Sequence, residues 1–401
     1  MKKLILFVCA VSLSVAVMAQ EKKVLFIGVD GVRSDALQQA NTPTWDSLCQ
    51  SGLFTYTSWH VGITVSGPSW STMLTGVWHG KHGVTNNNYT GSDFNTYPYF
   101  VTRAKQYRPD LKAVQVTSWD PMSSAVYNDG WDEKIVVPSD DACEAAGIAT
   151  LADPDLDVLF IHIDDCDAQG HGNGFSTTVA SYMNQVDYVD GQLKRILNAL
   201  KARANYANED WLIVMTTDHG GIGTGHGGPT REEREIWWVA AGPSVPNAEI
   251  VIDLPNVFEL FPDPANYRSA PMIVDIAVTA LDHLLDQPIE DLITEWNLDG
   301  QSWLDYSTYI ADEPENDLGM SVYPNPSNGQ FEVLTTSGIY GGQVAWELID
   351  VAGKLQRTGQ LQAVNGAELK IPFDLADLKA GVYTLRLTAG GKTSVKRVAV
   401  R

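Results

Sequence analysis

The chain has 401 residues, 44% of them hydrophobic and 19% charged, with a net charge of −22. That length suits two or three domains, and the composition supports sizeable cores and excludes wholesale disorder. So acidic a chain repels nucleic-acid backbones and anionic lipid, so a small anionic substrate would need a local positive centre, which a metal can supply.

In chain order, Met1-Lys2-Lys3, the apolar run Leu4 to Met18 and Ala19-Gln20 read as a cleaved signal peptide over residues 1–19. The run is too short to span a bilayer comfortably, so no membrane-spanning segment is expected in the mature chain. Cys49, Cys143 and Cys166 then remain, an odd count that permits at most one disulfide. With no CxxC pair, a cysteine zinc site is disfavoured. From Val24 to about Tyr306, short apolar runs alternate with longer polar and helical stretches. The runs Val24–Val29, Ala113–Val116, Val158–Ile163, Leu212–Met215 and Ile236–Ala241 predict strands buried on both faces of a mostly parallel sheet. Val179, Met183, Val186, Val189, Leu193, Leu197 and Leu200 recur every three or four residues and predict one long amphipathic helix. The expected fold class is α/β, a mostly parallel sheet sandwiched by helices, over residues 20–308. Residues 309–319, acidic and broken by Pro314, read as a linker. Beyond it, Phe331-Glu-Val, Val344–Ile349, Leu369–Ile371 and Val382–Leu387 with Gly-rich turns predict a small all-β sandwich over 320–401.

The chemistry-bearing residues gather past the ends of the predicted strands, where ligands of open α/β sheets bind. Asp30 follows the first run. Asp167-Ala-Gln-Gly-His171 places a carboxylate and an imidazole four residues apart after another. Asp218-His219 closes a third, and His226 sits in Gly225-His-Gly-Gly. Oxygen and imidazole ligands of this kind suit zinc. Any one pair alone reads equally well as a turn or a surface histidine; three clusters at strand ends do not. In Ser66-Gly-Pro-Ser-Trp-Ser-Thr-Met-Leu-Thr-Gly76, proline is expected at the first helical position with Ser66 just before it, so that unpaired N–H groups face an anion. Ser66 alone reads as a helix cap; beside candidate metal ligands it reads as a nucleophile.

Taken together, Asp30-Gly, Ser66-Gly-Pro…Leu74-Thr-Gly, His82-Gly, Asp167-x-x-Gly-His171, Asp218-His219 and Gly225-His226-Gly resemble the alkaline phosphatase superfamily, and within it the type I phosphodiesterase/nucleotide pyrophosphatases. The resemblance implies two zinc ions, one on Asp30, Ser66, Asp218 and His219, the other on Asp167, His171 and His226. It implies attack by Ser66 to give a phosphoserine, with Asn87 contacting the phosphoryl oxygen. The family's usual nucleophile is threonine, so Ser66 is a departure. The expected substrate is a small phosphoester, with diesters preferred over monoesters and no nucleic-acid polymer. A sulfatase is the main rival, since Ser66-x-Pro-Ser is close to its pattern, but Trp70 stands where a sulfatase has arginine and only Asp30 stands where a pair of acids is usual. A non-catalytic surface protein is the other rival, disfavoured by the complete ligand set. Asp164 and Asp165 are expected beside the ligands or solvated, His82 in a structural role, and His60 and His79 at the pocket wall. Met320-Ser-Val-Tyr-Pro-Asn-Pro, Asp350-Val-Ala-Gly-Lys354 and Leu378-Lys-Ala-Gly-Val-Tyr383 resemble the type IX secretion sorting domain. That implies the outer-membrane secretion machinery as a partner, and a secreted or cell-surface location reached through the periplasm.

Overall fold

The computed structural model describes residues 20–127, 129–250 and 270–304 and, beyond these, 320–323, 327, 329–335, 342–350, 354–363, 369–375, 377–379, 381–389 and 392–400. The expected signal peptide (1–19) and linker (309–319) lie outside the described residues. The chain divides into two units, Met1–Asp305 and Tyr306–Arg401.

In the first unit the strands are β1 (Glu21–Val29), β2 (Leu53–Trp59), β3 (Ala113–Thr117), β4 (Glu133–Val136), β5 (Val158–Ile163), β6 (Glu209–Thr216), β7 (Glu235–Ala241) and β8 (Ala248–Glu249). They form one sheet in the order β4-β3-β5-β1-β6-β7-β2-β8. From β4 to β6 all neighbours run parallel. β7 is antiparallel to both β6 and β2, so the sheet is mixed on one side only. β5 and β6 are buried along their whole length, the signature of a strand covered on both faces. β2, β4 and β8 escape the apolar-run reading because they are short, interrupted by polar residues or half exposed.

The helices that position the site are α1 (Ser66–Thr75), α2 (Asp140–Leu151), α3 (Asp165–Asn173), α4 (Ala180–Lys201) and α5 (Asp275–Leu284). On one face of the sheet Leu25, Ile27 and Val29 of β1 share a core with Val186, Val189, Leu193, Ile196, Leu197 and Leu200 of α4. Each such side chain contributes about 1.5–3 kcal/mol relative to exposure. Phe26, pointing the other way, packs on Trp70 of α1 and on Phe160, and α5 lies against β1, β6 and α1. All ten residues of α1 are buried although six of them carry a hydroxyl or no side chain. Ser69, Ser71, Thr72 and Thr75 solve this by donating to the carbonyls of Val65, Gly67, Pro68 and Ser71, each four residues back, so no hydroxyl is buried unpaired. Asp190 and Asp187 of α4 accept from the amides of Thr44, Trp45 and Asn41, bracing the loop that leads out of the site. Cys49, Cys143 and Cys166 are buried free thiols.

The second unit holds β9 (Met320–Tyr323), β10 (Gln330–Thr335), β11 (Gly342–Asp350), β12 (Leu355–Ala363), β13 (Leu369–Asp374), β14 (Gly381–Ala389) and β15 (Lys392–Val400). They pair antiparallel in two sheets, β13-β10-β9 and β12-β11-β14-β15. Phe331, Val333, Ile371 and Phe373 from the first meet Val344, Leu348, Leu385, Leu387 and Val398 from the second in one core. This is the expected sandwich. Among the described residues no helix is long and apolar enough to cross a membrane.

Candidate metal centre and nucleophile

Three adjacent parallel strands deliver the acidic residues to one end of the sheet. Asp30 follows β1, Asp167 lies in the first turn of α3 just after β5, and Asp218-His219 follows β6. Between the first two sits Gly31, whose φ of +68° suits glycine. A Cβ there would stand 2.7 Å from the Asp167 Cα, so the Asp30 and Asp167 loops touch only because that position has no side chain.

Asp30, Asp218 and His219 offer ligand atoms within 4.8 Å of one another, as do Asp167, His219 and His226. His219 Nε2 lies 3.2 Å from Asp218 Oδ2 and 3.6 Å from Asp30 Oδ1. His171, the most exposed member, joins through Asp167 Oδ2 at 3.3 Å and His226 Nε2 at 3.1 Å. Ser66 Oγ is 3.4 Å from His219 Nε2. The structure therefore brings Asp30, Ser66, Asp167, His171, Asp218, His219 and His226 to one place.

The hydrogen bonds around this cluster leave its inward atoms open. Nδ1 of His171, His219 and His226 each faces a backbone carbonyl, of Thr224, Gly220 and Thr64, at 2.8–2.9 Å. Donation there puts the proton on Nδ1 and turns the lone pair of each Nε2 toward the centre, as in ligand histidines. Asp218 Oδ1 accepts from the amides of Gly31 and His219, while Asp218 Oδ2, Asp30 Oδ1 and Asp167 Oδ1 are buried with no hydrogen-bond partner.

The electrostatics of the cluster agree. Burial, then Asp30 and Asp164, push Asp167 up to about 9. Burial, then Asp30 and Asp167, hold Asp218 well above the carboxylate range. Asp30 stays below it: burial would raise it, but the hydrogen bond from His162 and the charge of His219 prevail. Burial and neighbouring His226 bring His219 down to about 3. Carboxylates that cannot all ionise side by side, facing neutral imidazoles and orphaned oxygens, fit a divalent cation, and the N/O donor set suits zinc.

Ser66 is the first residue of α1 and Val65 its cap, so Pro68 occupies the third helical position rather than the first. Proline is tolerated anywhere in a first turn whose N–H groups lack helical partners. Asn87 Oδ1 accepts from the Gly67 amide at 2.8 Å, so that amide is engaged by Asn87 rather than free for a substrate. Gly67 has to be small here: a Cβ would come within 3.0 Å of Asn87 Oδ1.

His162 is a functional neighbour that the sequence reading passes over. It is fully buried in β5 with Nε2 3.2 Å from Asp30 Oδ2, and its single polar letter sits in a run otherwise read as core. Asp164 joins Asp30 and His162 in a third close group, and burial together with Asp30 raises it to about 6. Asp165 stands apart, its amide held by Asp140. His60 does not line a pocket. It is buried with Nε2 against Ser69 Oγ at 2.8 Å, as His82 is against Thr72 Oγ1 at 3.0 Å, two braces on α1 one turn apart.

Residues 24–226 match the family described as type I phosphodiesterase/nucleotide pyrophosphatase. The chain belongs to this family. Residues 321–401 match the secretion system C-terminal sorting domain, which marks a secreted or cell-surface protein. Among solved structures, murine ectonucleotide pyrophosphatase/phosphodiesterase 5 in complex with AMP is 21% identical with a TM-score of 0.42, over 50% of this chain and 57% of that one. The chain thus spans little more than half the length of that family member. A 2-O GAG sulfatase is 12% identical with a TM-score of 0.55, over 94% of this chain and 85% of that one. A protein of glycosaminoglycan metabolism from Bacteroides thetaiotaomicron is 12% identical with a TM-score of 0.51, over 85% and 90%. The likeness is one of fold, and that fold is alkaline phosphatase-like.

Proposed function

We propose that the protein is an exported two-zinc phosphodiesterase that acts through a phosphoserine at Ser66. The observation that carries this reading is the convergence of three Nε2 lone pairs and three orphaned carboxylate oxygens beside the Ser66 hydroxyl. Asp30, Asp218, His219 and Ser66 would hold one zinc ion, and Asp167, His171 and His226 the other. Bound zinc supplies Lewis acidity, lowering the pKa of a hydroxyl and offsetting phosphoryl charge.

Ser66 presents its hydroxyl at the start of a buried helix, where the positive end of the helix favours an anion. Its oxygen gives up its proton and forms the bond to phosphorus as the bond to the leaving oxygen breaks, the leaving alcohol taking up a proton. Water then attacks the phosphorus of this Ser66-linked phosphoryl ester, which restores the hydroxyl and releases the phosphate monoester. Asn87, with its carbonyl anchored on Gly67, turns its NH2 toward the phosphoryl oxygen. Four positive charges from two zinc ions exceed the three negative charges of Asp30, Asp167 and Asp218, which leaves an anion-attracting centre in an acidic protein.

The preference for diesters rests on where the cations are. A monoester dianion calls for an added Arg or Lys, yet among the described residues those near Ser66 in sequence are engaged elsewhere. Lys81 pairs with Asp299 at 2.7 Å, Lys105 with Asp132 at 2.7 Å and Arg108 with Asp157 at 2.9 Å, and Arg103 is buried with its guanidinium over the Trp296 ring. The test is kcat/KM for matched aryl phosphate diester, phosphate monoester and sulfate ester on the zinc-loaded protein, with Ser66→Ala as control. A tenfold monoester advantage, about 1.4 kcal/mol, overturns the diester reading, and turnover of the sulfate alone overturns the phosphoesterase reading.

A further inference from the structure

We propose that Trp70 and His162 are positioning residues that together clamp one oxygen of Asp30, so that Asp30 meets its metal through the other oxygen alone. This rests on the metal reading above and adds to it the residues that set the geometry of one ligand.

Asp30 is 1% exposed, and its two oxygens live in different surroundings. Oδ2 is approached by Trp70 Nε1 at 3.0 Å and by His162 Nε2 at 3.2 Å. Oδ1 has no hydrogen-bond partner and faces His219 Nε2 at 3.6 Å. Indole N–H can only donate, so Trp70 fixes the role of Oδ2 as an acceptor, and His162 adds a second donor to the same atom. A carboxylate gripped in this way presents a single free oxygen in one orientation. Asp218 follows the same plan with different parts: its Oδ1 takes two backbone amides and its Oδ2 is left open. At Asp218 the main chain does the holding; at Asp30 two replaceable side chains do it.

Each donor is itself held. The Trp70 ring is fully buried and lies over Gly28, where a Cβ would come within 2.3 Å of a ring carbon. It meets the His162 ring edge-on at 4.9 Å and 87°. His162 Nδ1 is 3.1 Å from Thr117 Oγ1, and that hydroxyl accepts from the Trp119 amide at 3.0 Å. The Thr117 hydroxyl has two acceptors in reach, His162 Nδ1 and the Trp119 carbonyl at 3.2 Å; with its proton on Nδ1, donors run in one direction from β3 through β5 to Asp30. Trp70 also stands four residues after Ser66, on the next turn of α1. One turn of one helix therefore sets both the nucleophile and the orientation of a ligand.

The test uses Trp70→Phe, which keeps a ring over Gly28 and removes the N–H, with His162→Leu and His162→Gln as an independent pair. Zinc stoichiometry and affinity are measured on chelator-stripped protein by competition with a coloured chelator, alongside steady-state kinetics and metal-free melting. Trp70→Phe and His162→Leu should each weaken one of the two zinc equivalents by about 10–100-fold and lower kcat more than they raise KM, with the second equivalent bound as in wild type. His162→Gln, which retains a donor, should recover a substantial part of the loss. Wild-type affinity for both zinc ions in Trp70→Phe and His162→Leu alike overturns the clamp. So does a third zinc equivalent that vanishes in His162→Leu, because His162 would then be a ligand together with Asp30 and Asp164. A wild-type protein that binds no zinc overturns the metal reading itself, and the clamp with it; the two failures are told apart on the unmodified protein.

Discussion

The proposed function gives the two ends of the Asn87 amide different purposes, and Asn87→Asp separates them. The carbonyl end accepts from the Gly67 amide at 2.8 Å, and aspartate keeps that acceptor at a helix N-terminus that favours negative charge. The NH2 end is the proposed phosphoryl donor, and aspartate abolishes it. One hydrogen bond contributes about 0.5–1.5 kcal/mol, so Asn87→Ala should lower the melting temperature by about 1–5 °C for a unit of this size, whereas Asn87→Asp should not lower it. Losing a donor to developing charge costs about 2.7–4 kcal/mol, or 10²–10³-fold in kcat, and both variants should show it. The assay is steady-state hydrolysis of an aryl phosphodiester at saturating zinc, paired with thermal melts of the same preparations. Asn87→Asp turning over within threefold of wild type would refute the donor role and leave Asn87 as a helix brace only.

His171→Ala should lose one of two zinc equivalents and nearly all hydrolysis, checked by elemental analysis of purified protein; full activity, or calcium as the only bound metal, counts against the ligand set. For metal-free protein, folded Asp167 keeps its proton from the ordinary carboxylate value of 3.8 up to about 9, while the unfolded chain has released it. The folded state then binds more protons on this group, so its contribution to stability falls as pH rises. Below about 6.5 the buried His60, His82, His219 and His226, lowered by burial and so protonated only when unfolded, act in the opposite sense, which leaves a net fall expected from about pH 7 to 9. Zinc should remove the slope, and a chelator-treated melting temperature that climbs from pH 7 to pH 9 contradicts this reasoning. A truncation ending at Asp312 should hydrolyse the diester like the full chain yet fail to reach the cell exterior, scored by activity in cell and medium fractions.

The sequence made the parallel core and the acidic strand ends legible for one physical reason. Strands buried on both faces must be continuously apolar, so each run ends visibly where the polar residues begin, and Asp30, Asp167 and Asp218 stand at those ends. The same logic conceals His162, which lies inside a buried run and declares itself only when Asp30 is seen 3.2 Å away. β2 carries polar residues at alternate positions and is antiparallel to β7, a pairing that no single run encodes. Helix α1 starts two residues before the position that Pro68 predicts, because proline suits every position of a first turn and the extended backbone at Val65 marks where the turn begins. In the second unit, Thr, Gln, Lys and Arg punctuate β12 and β15 and mask them as runs, as expected of strands with one wet face, while β9 with four residues is too short to show a period.

Gly31 has a consequence for how a centre like this one can change. Asp30 and Asp167, the proposed ligands, are spaced by main chain resting on main chain, across a gap that the smallest possible side chain would already overfill. Spacing of that kind is a fixed gauge, indifferent to the loops at the mouth of the site. Substitutions in those loops leave the gauge in place, whereas a single methyl group at residue 31 would pry the Asp30 loop and the first turn of α3 apart. The most conservative mutation on paper is thus among the most disruptive in practice, and redesign of specificity belongs at the rim.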